Sequence, residues 1–93
     1  TRIGVEPALV NYFFGEMYRQ RGAAGDQELA RAAYTKSVES ESAPPEAFKN
    51  LGYLYLKAGD LQRAQENFRR YLEIAPEATD RAMIEFYLEE DAR

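Results

Sequence analysis

Cysteine and histidine are both missing from this chain. Without them there is no thiolate or imidazole metal ligand, no cysteine nucleophile and no triad built on a histidine base. The lack of cysteine suits oxidising and reducing compartments alike, so it decides nothing about location. No apolar run approaches the roughly 18–20 residues that a membrane span needs, and nothing at the N-terminus resembles a signal peptide. Because the chain starts at Thr1, an excerpt of a longer protein is expected. Positive charge is also in short supply. A net charge of −4 argues against nucleic acid and anionic membrane surfaces as main partners.

What is present suits one folded domain. Ninety-three residues allow a modest core, and an apolar share of 45% beside a charged share of 30% is that of a folded chain rather than a disordered tail. An internal repeat then organises the sequence. "FFGEMY" (Phe13–Tyr18) and "NLGYLY" (Asn50–Tyr55) share a large apolar residue, a glycine and an aromatic three positions on. Each is followed by a glycine-bearing turn and a second apolar-periodic segment: Ala30, Ala33, Tyr34, Ser37 and Val38 in one copy, Leu61, Ala64, Phe68, Tyr71 and Leu72 in the other. Both follow the spacing of one helical face, and each copy runs on to proline, Pro44-Pro45 and Pro76. The pattern predicts helices over 7–21, 27–41, 45–58, 61–74 and 79–90. Pro7 and Pro45 stand where a first helical residue tolerates proline, and Asp60 after Gly59 is placed to cap a helix. In the last segment Met83, Ile84, Tyr87 and Leu88 share a face. Glycine inside a helix costs about 0.5–1 kcal/mol relative to alanine, so Gly15 and Gly52 need a compensating gain. A close helix crossing supplies one, with Gly52 expected against Ala64 and Gly15 against Ala30, and with Phe48, Leu51, Tyr55 and Phe68 packed around the Gly52 contact.

The run Phe48, Leu51, Gly52, Tyr55, Ala64, Phe68, Pro76 resembles the tetratricopeptide repeat (TPR), a helix hairpin of about 34 residues that stacks into a right-handed superhelix. Residues 45–78 fill one repeat without a gap, departing at Tyr71, where the family usually has alanine. Residues 8–44 look like a looser copy. Phe14, Gly15, Tyr18, Ala30 and Tyr34 are in register, but the turn is three residues longer and Asn11 replaces the usual aromatic. Residues 79–91 look like a capping helix. The resemblance implies an all-α, TPR-like right-handed superhelix of two helical hairpins plus a C-terminal capping helix, five helices in one domain over residues 1–93. More finely, "RQRG", "LKAGD" and "DRAMIEFYL" are similar to the C-terminal TPR segment of some bacterial zinc metallopeptidases whose HExxH site lies in a separate domain. That likeness implies a non-catalytic accessory domain in the periplasm; without it the default is the cytoplasm.

TPR domains generally bind a peptide or protein segment on a concave surface lined by the first helix of each repeat. By register the candidate partner-binding residues are Tyr12, Glu16, Arg19, Lys49, Asn50, Tyr53, Leu56 and Lys57. Some TPR domains clamp a partner's C-terminal carboxylate. Asn50 stands at one clamp position here, but Glu16 and Asp80 occupy two others and would repel it. Catalysis is not expected. The carboxylates read as exposed helix-face residues paired with arginines, Glu66 with Arg63, Arg69 and Arg70, and Glu28 with Arg31. "GAAGD" (Gly22–Asp26) lacks the lysine and preceding strand of a phosphate cradle, and no calcium-type loop occurs, so no cofactor or metal is expected. The first helix is apolar on more than one side, through Val10, Phe13, Phe14 and Met17. A preceding domain or a second copy is expected against it, which makes a homodimer through the first helix the further alternative.

Overall fold

The computed structural model describes residues 7–89, and the two ends of the expected outer segments, including residues 90–91 of the capping helix, lie outside that range. Five helices are present: α1 (Pro7–Arg21), α2 (Asp26–Val38), α3 (Pro45–Lys57), α4 (Leu61–Ile74) and α5 (Arg81–Glu89). No strand occurs among the described residues, so the all-α, TPR-like architecture stands. Contacts divide the chain into two compact units, one ending at Ala47 and one beginning at Phe48.

In the first unit α1 and α2 form a hairpin. The Ser37 hydroxyl, near the end of α2, donates to the Ala8 carbonyl at the start of α1 over 2.7 Å, which fixes the antiparallel sense. Ala8, Ala30 and Tyr34 form the buried apolar layer. The three extra residues of the α1–α2 turn are pinned by Asp26, which is almost sealed from solvent. Its carboxylate accepts from Arg21 Nε and Nη2 at 2.7 and 2.8 Å and from the Ala23 amide at 2.9 Å. A bidentate pair of that geometry is among the stronger polar contacts a surface turn can make.

In the second unit the α3–α4 turn ends in a left-handed glycine, Gly59 (φ 84). The Asp60 amide bonds to the Tyr55 carbonyl and the Gly59 amide to that of Leu56, which satisfies two free carbonyls at the end of α3. Asp60 then caps α4, accepting from the Arg63 amide at 3.1 Å. The core comprises Ala64, Phe68, Tyr71 and Ile84, with Phe48, Tyr53, Tyr55, Leu56, Leu72, Tyr87 and Leu88 around it. Gln65, buried in α4, donates to the carbonyls of Tyr87 and Leu88 at 3.1 and 3.5 Å and so closes the last turn of α5.

Three expectations are corrected. Nearest each helical glycine is a ring of the facing helix, closer than the alanine expected there: Tyr34 at Gly15, and at Gly52 Phe68, which was expected around that contact. A Cβ on Gly52 would stand 2.6 Å from the Phe68 ring, and one on Gly15 would stand 2.6 Å from the Tyr34 ring. A ring needs the full volume of the missing side chain, whereas an alanine would not. Helix α2 stops at Val38 rather than 41, because the Glu39 and Ser40 amides turn back onto Lys36 and Ser37 and a Ser40–Ser42 turn leads into Pro44-Pro45. Helix α5 begins at Arg81 rather than 79, since residues 78–80 form turns in which Asp80 reaches back to α3 and α4.

Candidate functional site

The eight candidate residues fall into two sets, one on each unit. On the first unit, Glu16 bonds two side chains, Tyr34 and Arg19. It accepts from the Tyr34 hydroxyl and from Arg19 Nε and Nη2 at 3.1 and 2.9 Å. Arg19 Nε also reaches the Tyr34 oxygen at 3.2 Å. The Tyr12 ring lies 5.9 Å from the Tyr34 ring, centroid to centroid. Burial works to raise the Glu16 pKa, but the bonds from Tyr34 and Arg19 outweigh it and hold the carboxyl below its usual range. Tyr34 moves the other way, upward, through burial and through its bond to Glu16. Tyr12 is raised as well, first by burial and then by the Glu16 charge. The arrangement orients Arg19 and neutralises it.

The second unit repeats that logic with different residues. Lys49 Nζ stands 2.9 Å from Asp80 Oδ2, and the Tyr71 hydroxyl donates to Asp80 Oδ1 at 2.8 Å. Lys49 also lies 5.3 Å from the centre of the Tyr71 ring. Burial opposes ionisation of Asp80, yet the Lys49 and Tyr71 bonds prevail and depress its pKa. Tyr53 packs edge-on against Phe68 at 5.1 Å and against Tyr87 at 5.7 Å, and its pKa is raised chiefly by burial. Leu56 is half-buried against the same core, Asn50 is half-buried, and Lys57 at the end of α3 is exposed.

Several features escaped the sequence reading. Met83, expected on the apolar face with Ile84, is 56% exposed, while Ile84 is fully buried. Phe86 is 52% exposed and follows Gly52 by 34 positions, so it holds in α5 the register of the two packing glycines. That register was available in the sequence. The bonds of Asp26, Tyr71 and Asp80 could not be read from the sequence, because their partners lie in other elements. The helix-face ion pairs also differ from those expected: Arg63 pairs with Asp60 and Arg70 with Glu73, not with Glu66. Asp60 caps α4, and its carboxylate accepts from the Arg63 amide at 3.1 Å and from Arg63 Nη1 at 2.8 Å.

A shallow depression of about 390 Å³ on α4, lined by Leu61, Gln62, Gln65, Glu66 and Arg69, involves none of the candidate residues. Among the described residues no cluster of acidic side chains is arranged to hold a metal ion, and no helix is long and apolar enough to cross a membrane. What the two sets of residues present is aromatic contact and oriented charge pairs, Arg19 with Glu16 and Lys49 with Asp80. A family model described as tetratricopeptide repeat matches residues 45–77. Comparison with curated proteins returns no match.

Proposed function

Because residues 45–77 carry a tetratricopeptide repeat, and that family generally mediates protein–protein interaction, we propose that this chain is a non-catalytic interaction module that captures a peptide or protein segment. Tyr12, Glu16 and Arg19 serve it on the first unit; Lys49, Asn50, Tyr53, Leu56 and Lys57 serve it on the second. The family match is the observation that carries the reading. The polar networks support it, since Arg19 and Lys49 are held in fixed positions at little further entropic cost on binding. Tyr53 and Leu56 have a second duty in the core, so truncating them tests folding as well as binding.

Lys57→Ala probes the exposed end of α3 with little disturbance to packing. Affinity capture by the immobilised chain, with thermal melting alongside, is expected to weaken in this variant while the melting midpoint stays within about 2 °C, the small shift usual for surface substitutions. Undiminished capture would remove Lys57 from the site.

A second reading, self-association through α1, is favoured by one observation. Val10, Phe13, Phe14 and Met17 follow helical spacing and are 36–56% exposed.

A further inference from the structure

The chain has two methionines, Met17 and Met83, and their sulfurs stand in different company. Met17 belongs to the exposed apolar stripe of α1, with Val10, Phe13 and Phe14. Met83, on α5, is more than half exposed, so an oxidant in solution reaches it. Its Sδ accepts from the Tyr53 hydroxyl of α3 at 3.7 Å, a contact internal to the second unit. The Tyr53 ring is fixed by Phe68 at 5.1 Å and by Tyr87 at 5.7 Å. Burial is the main cause that raises its pKa, which keeps the hydroxyl protonated at neutral pH. A positioned donor therefore stands beside an oxidisable sulfur.

A thioether is a weak acceptor, so the contact adds little as it stands. Oxidation by hydrogen peroxide changes that. A sulfur lone pair attacks one peroxide oxygen, the S–O bond forms and the O–O bond breaks. The departing hydroxide takes the proton from the transferred oxygen and becomes water. Sulfur gives up an electron pair, the peroxide accepts it, and the product is the sulfoxide. Its oxygen is a strongly polarised acceptor. Rotation about the Cγ–Sδ bond, free at an exposed side chain, leaves the sulfur in place and turns that oxygen toward Tyr53. An O–H···O bond of about 2.7 Å, bent at the sulfoxide oxygen, spans the separation between sulfur and hydroxyl already present.

We propose that Met83 is an oxidation site whose sulfoxide the Tyr53 hydroxyl captures, so that peroxide tightens α5 against α3. The usual consequence of methionine oxidation is the reverse, because a core thioether made polar disrupts the packing around it. Met83 escapes that cost, since Ile84 and not Met83 fills the core on α5. This site does not depend on the reading of the chain as an interaction module.

The test treats the 93-residue chain carrying Met17→Leu, which leaves Met83 as its sole methionine, with dilute hydrogen peroxide. Peptide mass mapping should find one added oxygen at Met83. The melting midpoint should rise by about 2–4 °C, the size expected for one weak hydrogen bond gained in a chain of this length. Amide exchange in α5 should slow with it. In Tyr53→Phe, which keeps the ring and removes the donor, the same oxidation should give no rise. Met83→Gln, which carries an amide oxygen on a side chain of similar length, should give part of the rise without peroxide and lose it when combined with Tyr53→Phe. A midpoint that falls or stays level on oxidation of Met83 overturns the proposal. So does an equal rise without the Tyr53 hydroxyl, or a Met83 that resists peroxide.

Discussion

Gly52 and Gly15 each trade helix propensity for the seating of a ring, and the rings they seat, Phe68 and Tyr34, are fully buried. A methyl group at either glycine would have to displace an aromatic locked in the interior. Gly52→Ala is expected to cost about 1–3 kcal/mol, the usual penalty of overpacking, despite alanine's better helix propensity. Chemical denaturation reads it, and a neutral or stabilising change would mean that Phe68 moves freely. Asp26 provides a second residue-level test. Its pKa is lowered to about 2, first by the Arg21 bond and then by the Ala23 amide, which together exceed the effect of burial. A carboxyl depressed in the folded state contributes its stability fully above the unfolded pKa, near 4, and loses it as pH falls toward 2. Asp26→Asn should therefore melt below the wild type at pH 7, with the gap closing between pH 4 and 2. A constant gap over that range would deny the ionised pair its role.

At the scale of elements, the glycines, prolines and apolar spacing placed all five helices, because those signals are local. The α1–α2 and α3–α4 hairpins follow from them directly. What the spacing could not supply was which side chain fills the space above each glycine. Tyr34 and Phe68 lie across the hairpin turn from their glycines, and their rings come nearest the position a side chain would take. The start of α5 was misplaced for a similar reason, since Asp80 answers to Lys49 and Tyr71 on other helices. Helix α5 is short and is held to α4 by Ile84, by the Tyr87–Phe68 stack at 5.5 Å and by Gln65. Gln65→Ala removes a buried donor from two terminal carbonyls and is expected to cost about 1 kcal/mol. Amide exchange should accelerate in α5 before it does in α4. Equal acceleration in both helices would mean that α5 is not separately latched.

For the whole molecule, the candidate surface was legible as positions but not as chemistry. Register alone picked out Glu16, Arg19 and Lys49, yet their engagement with Tyr34 and Asp80 turns them from available charges into oriented, neutralised pairs. The exposed apolar stripe of α1 was visible in the sequence and remains exposed in the fold. If a second copy covers it, sedimentation will show a concentration-dependent dimer that Phe14→Lys dissociates; a monomer at all concentrations would leave that stripe to another protein. The most direct test of the account is amide exchange on the chain bound to a protein it captures. Protection gained in α1 and α3 is the predicted result, and protection confined to α2 and α4 would contradict it.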